Sequence, residues 1–327
     1  MKKSTPLKAL VNVIFILTLT SSCFAQNNFR VMSYNVENLM DTVDCPGKDD
    51  NEFLPGGDRR WTGRRYYHKL QQISKVITVA GEWDTPALIG LCEVENDSVV
   101  NDLMRRTSLR KQDYRYIVTN SQDPRGINTA LLYQRDKFKY ISHKPHTIRF
   151  KEKNKKSRDI LHVTGEIINR DTMDVFVCHF PSKYGGEKLS EQYRLDATKH
   201  LKALCDSLHK ERANCLILIM GDFNDTPKDK SMQVLLNQKE EFTLYCLFPN
   251  AKGSHKYRGE WSMIDNIIIS QPLRQYLQPE SAKIFSPDFI LTKDKTWHGK
   301  RPLRTYHGFR YESGYSDHLP LIADFRF

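Results

Sequence analysis

The sequence repeatedly places a carboxylate, an amide or an imidazole next to a short apolar segment. In chain order these polar residues are Asn35, Glu93, His179, Asp222, Asn224, Asp265, Asp317 and His318. One such residue alone is more often structural than functional. The whole set requires a compensating charge, because gathered carboxylates repel one another and a bound divalent cation stabilises them.

The set also matches the requirements of phosphodiester hydrolysis. A phosphodiester is an anion that repels nucleophiles, so its charge must be neutralised, a water deprotonated and the leaving oxygen stabilised. A histidine backed by a carboxylate removes a proton from water near neutral pH. Oxygen and amide ligands favour Mg²⁺, Mn²⁺ or Ca²⁺ over zinc, and no cysteine pair has the CxxC spacing of a zinc site.

The apolar segments beside these residues predict the elements that position them. Strands are expected at residues 29–34, 87–91, 129–133, 174–178, 215–220, 266–269 and 319–325. Helical spacing of apolar residues predicts helices at 64–80 and 190–209. This alternation indicates one α/β (α+β) domain over residues 26–327, with a two-sheet core covered by helices. Rigid strand ends can then hold the polar side chains in one cleft.

Two long segments are expected to be loops, and long loops in a compact domain are often functional. Residues 41–63 are rich in glycine, proline and aspartate. Residues 286–315 carry basic and aromatic side chains, namely Trp297, His298, Lys300, Arg301, Arg304, Tyr306 and His307. The basic run at 151–158 is expected to be a solvated hairpin tip.

The first 25 residues predict a secretion signal. Lys2, Lys3 and Lys8 precede an apolar run at 9–19, which is shorter than the roughly 20 residues that span a bilayer. Two cleavages remain open: before Gln26, or after residue 22 as a lipoprotein signal with an acylated Cys23. Either one predicts an exported protein that is periplasmic, secreted or anchored in the outer membrane through lipidated Cys23.

The chain without this signal remains basic. Its removal takes away three lysines and no acid, so the formal net charge falls from +11 to +8. A basic surface favours an anionic partner such as nucleic acid, and no obligate protein partner is implied. Cys92 and Cys178 lie in apolar strand-like runs and are predicted to be buried free thiols.

Six motifs surround the polar residues: SYNVEN at 33–38, LCEVEN at 91–96, CHFPS at 178–182, MGDFND at 220–225, IDNI at 264–267 and SDHLP at 316–320. Together they resemble the endonuclease/exonuclease/phosphatase superfamily, which includes pancreatic deoxyribonuclease. The resemblance spans nearly the whole mature chain. It implies a four-layered α/β/β/α sandwich, in which two mixed β-sheets are flanked by helices.

The resemblance also implies a metal site. Glu93 would be the principal ligand of Mg²⁺, with Mn²⁺ or Ca²⁺ as alternatives. Asn35 would be a metal-site or phosphate-orienting partner, and Asp317 a further ligand or part of a second metal position.

The same resemblance implies catalytic roles. His318 would be the general base that activates water, and Asp265 would fix its tautomer and stabilise the imidazolium. Asp222 and Asn224 would position the water and a phosphate oxygen. His179 would contact the scissile phosphate.

Two features distinguish this chain within the superfamily. The pancreatic enzyme pairs the equivalent of His179 with a glutamate on a strand that holds no acid here, so Asn128 is expected to take that place as a phosphate contact. The segment that begins at His179 and includes Lys183 resembles the exported bacterial nuclease branch, and Lys183 is expected to contact a neighbouring phosphate.

These observations predict an exported, divalent-metal-dependent endonuclease that hydrolyses DNA or RNA through a histidine-activated water. The enzymatic alternative is a phospholipid or inositol-phosphate phosphohydrolase similar to a sphingomyelinase, although no membrane-inserting hairpin is evident. The alternative of another class is a non-catalytic polyanion-binding protein with the same fold. The presence of all the main site residues disfavours it.

Overall fold

The computed structural model describes residues 28–183, 186–237 and 242–327. The predicted signal segment, Cys23 included, lies outside these ranges. One mixed sheet has six strands in the order β13, β18, β1, β2, β4, β3. Their bounds are β1 Asn28–Leu39, β2 Leu88–Val94, β3 Arg115–Val118, β4 Asn128–Tyr133, β13 Lys283–Ile284 and β18 Leu321–Arg326.

A second mixed sheet also has six strands, in the order β5, β6, β7, β8, β12, β9. Their bounds are β5 Phe138–His146, β6 Ile160–Ile167, β7 Thr172–His179, β8 Leu216–Asp222, β9 Leu244–Cys246 and β12 Asp265–Ser270. Three two-stranded hairpins pair β10 His255–Tyr257 with β11 Glu260–Ser262, β14 Leu291–Lys293 with β15 Lys300–Pro302, and β16 Tyr306–His307 with β17 Arg310–Tyr311.

The helices are α1 Gly63–Gly81, α2 Asp97–Arg105, α3 Glu187–Glu211, α4 Lys230–Leu235 and α5 Gln271–Arg274. Three short 3-10 helices cover Asn51–Phe53, Ser108–Gln112 and Asp288–Ile290. No helix in the described ranges is long and apolar enough to cross a membrane.

The alternation of side chains along the strands builds the layers. On β8, Leu218 and Met220 pack between the two sheets, while Ile217 and Ile219 pack against the side that α3 covers. The outer face of the first sheet packs against α1, for example through Ile73. Because strand side chains point alternately to opposite faces, the central strands of both sheets are buried on both sides, whereas the edge strand β5 is largely exposed. The predicted four-layered α/β/β/α sandwich is confirmed.

The seven predicted strands and both predicted helices are present, with ends shifted by a few residues. Two loop predictions need correction. Residues 286–315 contain the hairpins β14–β15 and β16–β17, whose short strands carry too few alternating residues to register as a pattern. The run at 151–158 is exposed at its start, as predicted, but Arg158 at its end is buried.

Strand register gathers the site residues at one end of the sandwich. His179 on β7 lies opposite Asp222 on the parallel β8, and Asp222 lies opposite Asp265 on the antiparallel β12. In the other sheet, Asn35 on β1 lies opposite Cys92, which directly precedes Glu93. Three neighbouring strands of the second sheet and two neighbouring strands of the first therefore contribute residues to the same cleft.

Gly221 is a position where this arrangement depends on the absence of a side chain. Its φ is +140°, and a Cβ would lie 1.9 Å from the carbonyl oxygen of Cys178 on the adjacent strand. We expect Gly221→Ala to lower the free energy of unfolding by about 2–4 kcal/mol, from backbone strain and overpacking. Gly56→Ala is the matched control, because an added Cβ meets nothing within 4 Å there. Thermal unfolding of both variants checks this, and equal stability would contradict it.

Candidate active site

His318 and Asp265 form a buried pair at the centre of the cleft. His318 Nδ1 lies 2.7 Å from Asp265 Oδ2, and Ser254 Oγ also donates to that oxygen. The contact with Asp265 leaves Nε2 directed at the cleft, where it lies 3.8 Å from Asp222 Oδ2. Burial acts to lower the pKa of His318, but the charges of Asp265 and Asp222 outweigh it and raise the pKa well above its ordinary value. The pair can therefore accept a proton and hold it.

Asp222 occupies the position between the two sheets. One of its oxygens accepts from the backbone N–H of Asn224 at 2.9 Å, and the other accepts from Asn35 Nδ2 at 3.0 Å. Burial, followed by the charge of Asp265, raises the pKa of Asp222 to about 7, against the opposing effect of His318. The protein thus holds two carboxylates close together, an arrangement that a positive charge in the cleft would stabilise.

Glu93 enters the cleft from the opposite sheet. Its backbone has a φ of 66°, at a register shift where β2 pairs irregularly with β4. Glu93 Oε2 accepts from the backbone N–H of Asn38 at 2.8 Å, and Oε1 accepts from Asn35 Nδ2 at 3.3 Å. The side-chain oxygen Oδ1 of Asn35 accepts from the backbone N–H of Glu37. Asn35 is therefore placed as an orienting partner of two carboxylates, and its role as a direct ligand stays a prediction.

His179 lies beside both of these carboxylates and is buried. Its Nε2 is 3.8 Å from Glu93 Oε1 and 3.7 Å from Asp222 Oδ2. Burial, together with the charge of Arg158, lowers its pKa well below the ordinary value. Within the described residues Nδ1 has no hydrogen-bond partner, which agrees with the missing acid noted in the sequence. His179 can thus donate a hydrogen bond to an anion without carrying a charge.

The donors of the cleft fit a divalent cation. Asp222, Asp265 and His318 offer ligand atoms within 4.8 Å of one another, and so do His255, Asp317 and His318. The cleft contributes oxygen and imidazole donors, and the six cysteines in the described ranges are all free thiols. Cys92 and Cys178 are both buried, as predicted. Carboxylate oxygens are donors that suit Mg²⁺ or Mn²⁺.

One carboxylate oxygen of Asp317 already pairs with an arginine. Its Oδ2 accepts from Arg304 at 2.8 Å, and His255 Nε2 lies 3.9 Å away. Burial acts to raise the pKa of Asp317, but Arg304 and then His318 hold it well below its usual range. The predicted ligand role of Asp317 stays a prediction, since a cation would have to share this carboxylate with Arg304.

A buried ionic network extends behind Arg304. Glu37 accepts from Arg304 Nε at 3.2 Å and from the backbone N–H of Thr305 at 2.7 Å. Lys69 on α1 lies 3.8 Å from the same carboxylate and donates to the carbonyl oxygen of Tyr315. Burial lowers the pKa of Lys69 to about 8. The network fixes the segment before Asp317 onto β1 and α1.

The predicted phosphate contact at Asn128 is corrected by the structure. Its Nδ2 donates to the carbonyl oxygen of Glu95 at 2.6 Å, and its Oδ1 accepts from the N–H of Ser121 at 2.7 Å. Because Asn128 is buried and both ends of its amide bind this chain, it organises the loop before β4. Lys183 lies 3.5 Å from Asp225 at the surface, and its phosphate contact stays a prediction. Asn224 borders the cleft, with Nδ2 donating to the carbonyl oxygen of Phe180.

Sequence reasoning missed three residues of the site. Arg158 donates to Asp123 and to the carbonyl oxygen of Phe180, next to His179, yet it belongs to a basic run that suggested a solvated turn. Glu37 lies in the SYNVEN motif at 33–38, but nothing in the sequence indicates that Arg304 is its partner. His255 packs against His318, with ring centroids 4.7 Å apart and ring planes tilted by 36°, and nothing in the local sequence indicates this contact.

The comparisons with known proteins agree with this architecture. A family model described as "Endonuclease/Exonuclease/phosphatase family" matches residues 30–326. The chain therefore belongs to this family, whose members are hydrolases of phosphoester bonds that use divalent metals. No curated protein sequence matches the chain significantly.

Solved structures share the fold at low sequence identity. The human Nocturnin catalytic domain with bound sulfate is 16% identical, over 92% of this chain and 93% of that chain, with a TM-score of 0.57. A mannosyl-6-phosphatase of Bacteroides thetaiotaomicron is 15% identical, over 91% and 100%, with a TM-score of 0.59. Danio rerio TDP2 complexed with single-strand DNA product is 13% identical, over 92% and 99%, with a TM-score of 0.57. At these identities the likeness establishes the fold alone.

The buried pair predicts a specific pattern of lost activity. His318→Ala should lower turnover by a factor of about 10²–10⁴ through loss of the general base. Asp265→Asn should also cost a large factor, because a neutral amide cannot stabilise the imidazolium. Since the two residues act as one unit, the double variant should be little worse than His318→Ala.

Turnover and thermal unfolding of the two single variants and the double variant check this. A purely structural role would lower stability and leave turnover per folded molecule unchanged. A well-folded, fully active His318→Ala protein would reject the mechanism.

Proposed function

We propose that this protein is an exported phosphodiesterase that uses Mg²⁺ or Mn²⁺ to hydrolyse nucleic acid, cutting within the strand. The observation that carries the hydrolytic part is the pairing of His318 Nδ1 with Asp265 at 2.7 Å, with Nε2 left facing Asp222. A histidine held in this way is prepared to remove a proton from a water in the cleft. Export is proposed from the sequence of residues 1–25 alone.

The surrounding residues divide the remaining tasks. Glu93 and Asp222, joined by Asn35, would hold the cation, which supplies charge neutralisation for the phosphate. Asp222 and Asn224 orient the attacking water. Neutral His179 donates from Nε2 to a phosphate oxygen, where negative charge grows as the water attacks.

Two observations favour nucleic acid as the substrate. The chain without its proposed signal carries a formal net charge of +8, after loss of three lysines from +11, which attracts a polyanion. Exposed aromatic and basic side chains, including Tyr257, Arg258 and Trp297, lie near the cleft on the hairpins. The TDP2 structure with single-strand DNA product supports the proposal, since it is a protein of the same fold with DNA.

The rival substrates are smaller phosphate esters. A phosphohydrolase for phospholipid headgroups or inositol phosphates would use the same cleft, and the mannosyl-6-phosphatase of the same fold adds phosphorylated sugars to this group. A purely binding function is disfavoured, because the catalytic side chains are buried in a hydrogen-bonded arrangement that binding alone does not require.

The metal requirement is the first test of the proposal. Excess chelator should abolish activity, and Mg²⁺ or Mn²⁺ should restore it, because Glu93 and Asp222 need a cation between them and the phosphate. Glu93→Gln should raise the Mg²⁺ concentration at half-maximal activity and reduce the increase in unfolding temperature that Mg²⁺ causes.

Asp171→Asn is the control, because this exposed acid lies in the turn before β7, at the opposite end of that strand from His179. Activity that persists in chelator, or that zinc alone restores, would contradict the metal assignment.

The substrate is tested with a panel of single-stranded and duplex DNA, RNA, sphingomyelin, inositol phosphates and mannose 6-phosphate. We expect cleavage of nucleic acid that falls steeply as salt rises from low to physiological concentration, because counterions are released on binding. Cleavage of a closed circular strand would establish internal cutting. Hydrolysis of a small phosphate ester without cleavage of nucleic acid would show that the small ester is the substrate and would contradict the proposal.

A further inference from the structure

A pocket opens directly beside the catalytic residues, between the hairpins β10–β11 and β14–β15. Its volume is about 240 Å³, and its lining includes Arg304 and Asp317. The first residue of β10 is His255, whose ring packs against that of His318. A group bound in this pocket would therefore lie next to the phosphate that the water activated by His318 is proposed to attack.

Two aromatic rings line the pocket and are exposed. Tyr257 is 63% exposed and Trp297 is 53% exposed. The backbone holds Trp297 in place, since its N–H donates to Asp294 Oδ1 at 2.9 Å. The hairpin tip supports it as well: a Cβ on Gly259 would lie 3.1 Å from Trp297 Cβ, so the backbone of Gly259 packs against that side chain. The fold thus positions Trp297, and both rings are exposed enough to stack on a ligand.

The cationic side chains of the pocket differ in whether a carboxylate pairs with them. Three of its cations already pair with carboxylates: Lys256 with Asp294, Arg301 with Glu312, and Arg304 with Asp317. Arg258 differs from these three. It occupies the two-residue turn of its hairpin with a φ of 48°, its guanidinium lies 5.3 Å from the centroid of the Tyr257 ring, and in the described ranges no carboxylate pairs with it. The uncompensated charge beside the two rings is therefore that of Arg258.

We propose that this pocket binds the nucleotide adjacent to the scissile phosphate, with its base stacked on Trp297 and Tyr257 and its phosphate against Arg258. The inference rests on the nucleic-acid activity proposed above. It specifies an unpaired nucleotide, because the faces of bases inside a duplex are already covered by neighbouring bases. Stacking on aromatic side chains is the usual way in which single strands are bound without regard to sequence. The preferred substrate is accordingly single-stranded nucleic acid.

The test compares two substrates in the full-length, metal-loaded enzyme. One is a single-stranded oligonucleotide, and the other is methyl p-nitrophenyl phosphate, a phosphodiester with no neighbouring nucleotide. Trp297→Ala should raise KM for the oligonucleotide about 5- to 100-fold, as expected for the loss of one base-stacking contact, and leave hydrolysis of the small diester unchanged. Trp297→Phe should restore most of the affinity. Arg258→Ala should also raise KM and reduce its dependence on salt.

Trp83→Ala is the matched control, because Trp83 is fully exposed and precedes β2, at the opposite end of that strand from Glu93. Unchanged hydrolysis of the small diester shows that each variant is folded. Equal oligonucleotide KM values for Trp297→Ala and Trp83→Ala would overturn the subsite while the nuclease function stands. An equal loss on both substrates, or a larger loss on duplex than on single strand, would also overturn it. Failure of the nuclease function is distinct, since the wild-type enzyme would then hydrolyse the small diester and leave every oligonucleotide uncut.

Discussion

The side-chain amide of Asn35 is the contact on which the geometry of the cleft depends. It donates to Glu93 in its own sheet and to Asp222 in the other, so one nitrogen spans the interface between the two layers. Asn35 is itself held, because its side-chain oxygen accepts from Glu37 and its backbone oxygen accepts from Ser316. Ser316 in turn accepts from the backbone N–H of His318. The position of His318, the proposed general base, is thereby tied to the same residue that spaces the two carboxylates.

Charge balance explains why so many ionisable groups can be buried around this contact. An unpaired charge in a protein interior costs several kcal/mol, and removal of one partner from a buried pair typically costs about 3–5 kcal/mol. On one side of the cleft Arg304 lies between Glu37 and Asp317, and Lys69 supports Glu37 from α1. Among the residues described, Glu93 and Asp222 have only histidines beside them and form no ion pair with a lysine or an arginine. The carboxylates without a lysine or arginine partner therefore lie in the cleft, where the metal and the phosphate ester are proposed to bind.

The sequence predicted the parts of this site that have a local cause. A run of apolar residues predicts a strand such as β8. Asp222 ends that strand, and the pairing with β7 and β12 places it beside His179 and Asp265. The roles of Asn128 and Arg158 were not predictable in this way. Each depends on partners in other elements, the carbonyl oxygen of Glu95 for Asn128 and Asp123 for Arg158. A polar residue near a loop looks the same in sequence whether its hydrogen bonds go to a ligand or to the backbone.

The residues proposed for hydrolysis and those proposed for substrate selection stand on different kinds of element in this fold. Asp222 and Asp265 stand at the ends of paired strands, whose register is fixed by the core and leaves little freedom to move them. Trp297 and Arg258 stand in the turns of two-stranded hairpins, where both side chains are exposed and a substitution leaves the buried layers unchanged. A fold of this kind can therefore keep its strand-end residues in place while the hairpins beside the cleft vary. In this chain the hairpins present two exposed rings and an arginine that no described carboxylate pairs with, and on these side chains the proposed subsite for an unpaired nucleotide depends.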